Sequence, residues 1–89
     1  MDQIVNNLET FLKSEDFETN WDGFYQDVLP TIQHFFKTKG FKTKLLDESE
    51  TESRAAELLA TQGSLKVRIP WEEDYNGRSL VDITKITVG

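Results

Sequence analysis

The stretch FFKTKGFKTKLL, residues 35–46, holds the point where the pattern of this 89-residue chain changes. Before Gly40, apolar residues recur at the helical period. After it they alternate, with Phe41, Thr43 and Leu45 on one side and Lys42 and Lys44 on the other. Lys37 and Lys39 place positive charge on a last helical turn, and Gly40 suits the left-handed residue that ends a helix. The stretch therefore divides one small domain, residues 1–89, into a helical part, 1–40, and a sheet part, 41–89.

Upstream, residues 3–14 read as an amphipathic helix, because Ile4, Val5, Leu8, Phe11 and Leu12 fall on one face. Asp2 is a suitable N-cap. The polar run SEDFETN, residues 14–20, breaks the pattern. Trp21, Phe24, Tyr25, Val28, Leu29, Ile32, Phe35 and Phe36 then resume an apolar stripe, with Trp21 as its anchor. Pro30 requires either a kink or a helix that begins at its own position. The tripeptide Trp21-Asp22-Gly23 is similar to that of the small exported WXG-type helical hairpins. That family needs long helices on both sides of the tripeptide, and a strand-rich second half excludes it.

Downstream, SLKVRIPW (residues 64–71) alternates Leu65, Val67 and Ile69 against Lys66 and Arg68, and SLVDITKITV (79–88) is β-branched. Asn76-Gly77 predicts a two-residue type I′ turn joining them. Perfect pairing through that turn would set Leu65, Val67 and Ile69 opposite Val88, Ile86 and Thr84, and would send Val81 and Ile83 to the wrong face. An extra residue near 84–85 or 70–71 is expected to correct this. Residues 49–61 are ambiguous. Ser49 with Glu52 makes a capping box and Ala-Ala-Glu-Leu-Leu-Ala favours a short helix, while ELLATQGSLKV reads equally as a hairpin turning at Gln62-Gly63. The expected fold class is α+β, with two N-terminal amphipathic helices packed on one face of a small, mainly antiparallel C-terminal sheet of three to four strands.

With 37% hydrophobic and 11% aromatic residues, the chain has material for a core and is not compositionally disordered. It has no cysteine, which removes disulfides, thiolate metal sites and a thiol nucleophile, and which fits a cytoplasmic location. No signal peptide or membrane span is expected. Its formal charge of -6 is unevenly spread. Residues 1–36 carry seven acids and one base, residues 37–46 carry four lysines and no acid, and residues 47–57 carry five acids and one base. Net negative charge opposes association with nucleic acid.

Catalysis finds little support in these residues. His34 is the one histidine, and no nucleophile or metal-ligand spacing accompanies it. Asp47-x-Ser49-x-Thr51 fails as a calcium loop, because Glu52 stands where glycine is needed and Leu58 where glutamate is needed. No metal, no cofactor and no enzymatic activity are expected.

Three features point to binding. Glu48, Glu50 and Glu52 alternate in DESETE, and an extended chain would space them about 6.8 Å apart, comparable with neighbouring phosphates of one nucleic-acid strand. Trp71 and Tyr75 flank Glu72, Glu73 and Asp74 at a hairpin tip, a pattern of aromatic anchors beside charge. Lys42, Lys44, Lys66 and Arg68 share the outward side of the strands, where edge lysines also serve to prevent aggregation. In size, charge and helices-then-strands order the chain resembles the class of phage- or mobile-element-encoded inhibitors that imitate DNA, such as uracil-DNA glycosylase inhibitors. No motif residue carries over from that class.

The expectation is therefore a non-enzymatic protein-binding module, an acidic inhibitor or regulator of a basic, nucleic-acid-handling protein. Glu48, Glu50, Glu52, Trp71, Glu72, Glu73, Asp74 and Tyr75 would carry the contact. The alternatives are a nucleic-acid-binding protein using Lys42, Lys44, Lys66 and Arg68, and a structural or oligomer-forming subunit. The choice between monomer and homodimer stays open.

Overall fold

A computed structural model describes residues 3–19, 23–51 and 54–89. The cap at Asp2, the anchor at Trp21 and the candidate contact at Glu52 lie outside the described residues.

Helix α1, Gln3–Ser14, buries Val5, Leu8 and Leu12, the stripe that the spacing predicts. It ends with Asp16 in the left-handed region, at φ 63°. The Phe17 N–H reaches back to Leu12 O at 2.9 Å, and the Asp16 N–H reaches Lys13 O at 3.2 Å. This six-to-one, five-to-two pairing satisfies carbonyls that the helix leaves open. Helix α2, Leu29–Thr38, ends the same way. Phe41 N–H donates to Phe36 O at 2.9 Å and Gly40 N–H to Lys37 O at 3.1 Å, with Gly40 at φ 84°. The rings of Phe36 and Phe41 meet edge-on at 5.3 Å, closing the apolar contact that accompanies this cap. Gln62 Nε2 donates to Lys39 O at 3.0 Å, and a Cβ on Gly40 would lie 2.9 Å from that amide nitrogen.

Pro30 sits in the first turn of α2, where its missing N–H costs nothing. Residues 23–28 are not helical, so the helical reading of Phe24, Tyr25 and Val28 is corrected. Tyr25–Gln26 form a two-residue strand, β1, and Asp27 turns the chain with φ 57°. A strand thus comes from the part of the chain read as helical.

The remaining strands are β2 (Lys42–Leu46), β3 (Glu57–Gln62), β4 (Leu65–Glu73), β5 (Ser79–Val81) and β6 (Thr87–Val88), with a 3₁₀ turn at Ile83–Lys85. The sheet runs β1-β5-β4-β3-β2, β6 pairs with β4 beside β5, and every pairing among the described residues is antiparallel. The class is α+β, with a sheet larger than three to four strands.

Two local readings are corrected. The favoured short helix within residues 49–61 gives way to β3, which turns back into β4 with Gln62 opposite Leu65. Pairing of Leu58 with Ile69 and of Ala60 with Val67 buries four apolar side chains, and this outweighs the helical preference of the local residues. The Asn76-Gly77 turn is a three-residue loop, not a two-residue one. Asp74 N–H donates to Arg78 O at 3.0 Å, Gly77 N–H donates to Asp74 O at 2.9 Å, and Gly77 takes φ 79°. The expected register correction is met by more than one extra residue. Trp71 faces Val81 while Arg68 faces Thr87, so the 3₁₀ turn splits the last strand into β5 and β6.

Register assigns the two faces. Leu58, Ala60, Val67 and Ile69 share one face, and they join Val5, Leu8 and Leu12 of α1 and Ile32, Phe35 and Phe36 of α2 in one buried cluster. No helix among the described residues is long and apolar enough to cross a membrane.

Candidate functional site

A concavity of about 290 Å³ lies where β2 ends and β4 runs on past β3. Leu45, Leu46, Asp47, Glu50, Ala56, Trp71, Glu72 and Glu73 line it. On its floor, Trp71 N–H donates to Ala56 O at 2.9 Å, holding the residue before β3 against the later part of β4. Asp47 and Glu50, in the connection that follows β2, line the opening. There Ser49 donates to Asp47 Oδ1 twice, from its N–H at 2.9 Å and from its hydroxyl at 2.6 Å, and Glu50 N–H donates to Asp47 O at 3.0 Å. These donors, the Ser49 hydroxyl foremost, hold the Asp47 carboxyl below the ordinary carboxylate range and keep it charged.

This turn corrects the DESETE reading. Residues 47–50 are folded back, so Glu48 and Glu50 are not spaced along an extended strand. Of the two acidic segments, Glu50, Glu72 and Glu73 meet around the concavity, while Glu48 does not line it. Part of the charge is answered internally. Lys44 stands 3.6 Å from Glu50, and Lys85 stands 3.8 Å from Glu72. Lys85 also sits over the Phe24 ring at 5.5 Å. Glu73, Glu48 and Asp47 make no ion pair among the described residues.

Trp71 is not a projecting anchor. It is 5% exposed, part of the core, and its indole N–H is buried with no hydrogen-bond partner among the described residues. In the sheet it shares a row with Val81 and Tyr25, and the Tyr25 hydroxyl is likewise buried with no partner among the described residues. Burial, then the nearby charge of Glu9, raises the Tyr25 pKa above its ordinary value. Tyr75, by contrast, is 96% exposed at the hairpin tip. Asp74 rigidifies that tip. Its Oδ1 accepts the N–H of Asn76 at 2.8 Å and of Arg78 at 2.9 Å, and the Arg78 N–H foremost lowers the Asp74 pKa. Arg78 also lies 3.5 Å from Asp74 and 3.9 Å from Asp27, linking the tip to the loop before α2.

The basic candidates gather on the outward face. Lys42, Thr61 and Lys66 form one cross-strand row, and Lys44, Leu59, Arg68 and Thr87 form the next. Arg68 Nη1 donates to Glu57 Oε1 at 3.1 Å, and Glu57 is the one charged side chain classed as buried among the described residues. No aromatic ring stands in either row. His34 is exposed on α2, and no three metal-ligating side chains converge among the described residues.

Sequence reasoning missed Leu45, Leu46, Asp47 and Ala56. Alternation put Leu45 on the core side, and only the three-dimensional course of the chain leaves it 43% exposed. Comparison with protein-family models, with curated proteins and with solved structures gave no match to this chain.

Proposed function

We propose that this protein is a non-enzymatic protein-binding module whose site is the acid-rimmed concavity, and that its partner is a basic protein of the kind that handles nucleic acid. The observation carrying this reading is that Asp47, Glu50, Glu72 and Glu73 converge on an apolar floor of Leu45, Leu46, Ala56 and Trp71. Charge at the rim steers a cationic partner, and an apolar floor supplies contact area that charge alone does not. By occupying a cationic groove, the module would act as an inhibitor or regulator. Because residues 47–50 fold back, the acids would act as a compact acidic pocket rather than as an imitation of phosphate spacing. The cysteine-free chain suits work in the cytoplasm.

The test is affinity capture from the native host's lysate with the wild-type chain and with a Glu72→Lys, Glu73→Lys variant. The expected result is a partner held by the wild type, released steeply as salt rises, and lost by the variant. Equal capture by both, or capture indifferent to salt, would overturn the reading.

A second reading, nucleic-acid binding, is favoured by one observation: register sets Lys42, Lys44, Lys66 and Arg68 on a single face. Anisotropy titration with single-stranded and duplex oligonucleotides at low salt distinguishes it. Light scattering across concentration tests the third reading, an oligomer-forming subunit.

A further inference from the structure

Strand β2 stands at the end of the sheet order and pairs with β3 alone among the described residues. Among the described residues, the other side of its five residues is therefore an open edge. Such an edge presents unpaired backbone donors and acceptors to any extended chain. On its outward side the edge carries Lys42 and Lys44. Two copies of this chain pairing antiparallel through β2 would bring those lysines side by side, which opposes self-association. On its inward side Leu45 is half exposed and opens into the concavity beside Leu46 and Trp71. The strand runs out at Asp47, a carboxylate held charged by Ser49 and without an ion pair among the described residues.

We infer that the partner enters this site as an added strand. An extended segment of the partner protein pairs along the free edge of β2 and sets an apolar side chain beside Leu45, over the Trp71 floor. Two residues further along, on the same side, it sets a lysine or arginine beside Asp47 and toward Glu73. Alternation fixes this spacing, because only every second side chain of a strand faces one way. The residue beside Lys44 faces the lysine rows, where an acidic side chain fits. This inference rests on the concavity being the partner site, and it adds the partner's conformation and local pattern.

The test uses the full chain, labelled with ¹⁵N, and two synthetic probes that cover both strand directions, Thr-Glu-Ile-Thr-Arg-Ser and its reverse order. One of them is expected to shift the amides of β2 and the Trp71 indole signal and to leave the basic rows of β4 unmoved. Methylating single backbone nitrogens of that probe is expected to weaken binding roughly five- to tenfold at positions whose N–H faces β2, and to change nothing at the alternate positions. Binding that ignores the position of the methyl group would overturn strand addition while leaving the concavity as the site. No shift with either probe at millimolar concentration, the chain's own spectrum remaining that of a folded protein, would overturn the inference. So would β2 shifts that depend on protein concentration without a probe, since the edge would then belong to a second copy. Failure of the underlying reading shows separately, as capture of the partner by the Glu72→Lys, Glu73→Lys variant.

Discussion

The acid-rimmed concavity and the basic strand face carry opposite charge on one sheet, yet they differ more in shape than in sign. The basic face is a solvated surface. Its lysines and arginine alternate with Thr61, Leu59 and Thr87, and Arg68 is engaged by Glu57. The concavity has an apolar floor in which Trp71 belongs to the core and Leu45 stays exposed, and its rim includes Glu73, which makes no ion pair among the described residues. The difference teaches that a charged row is a weaker indicator of a site than charge set around exposed apolar surface, because exposed pairs between charges contribute little on their own.

The comparison breaks most sharply at Trp71. Trp71→Ala should cost about 3–5 kcal/mol in urea or thermal unfolding, since the floor of the site is also core. Trp71→Phe, which deletes the unpaired N–H with most of the ring kept, should cost under about 1.5 kcal/mol. On the basic face the losses should be smaller and unequal. Arg68→Ala should cost on the order of 1–2 kcal/mol, because it strands the Glu57 carboxylate, whereas Lys66→Ala should stay within about 0.5 kcal/mol. Equal costs for the two would mean that the Glu57 pair is as idle as a surface pair. Lys44→Ala sharpens the contrast from the other side. It frees Glu50, should change stability by less than about 0.5 kcal/mol, and should raise the partner's association rate at low salt.

The smallest effect is expected at the hairpin tip. The folded Asp74 carboxyl has a lowered pKa, so its stabilising contribution is present above the unfolded value of about 3.9 and is lost as pH falls through the lower folded value. The Arg78 amide signal followed by NMR should therefore titrate with a midpoint below about 3.9. A midpoint at or above it would mean that the tip hydrogen bonds do not persist in solution.

Much of the fold was legible where a single period ran long enough. The stripe of α1, the end of α2 at Gly40 and the alternation of Val67 and Ile69 in β4 each follow the spacing, whereas β2 alternates without burying Leu45. The readings that failed depend on distant partners. Two residues cannot display a period, so β1 is recognisable only through its pairing with Val81 and Leu80. The apolar spacing of Phe24, Tyr25 and Val28 imitates a helix although a strand and a turn produce it. In β3, Ala-Glu-Leu-Leu-Ala carries helical preference, and two neighbouring strands override it. The candidate site was half legible. Its carboxylates were visible as charge runs, but their meeting around Leu45 and Leu46 depends on the turn at 47–50.

The contact between Gly40 and Gln62 has a consequence for how such a chain can vary. One position ends a helix and the other precedes a hairpin turn, 22 residues later in the chain, yet a methyl group at the first would press on the amide of the second. A side chain at 40 would make the Gln62 amide swing aside and give up its hydrogen bond to Lys39 O, a small cost beside the strain that φ 84° imposes on any residue but glycine. Trimming 62 should therefore recover only the lesser part of what a change at 40 loses.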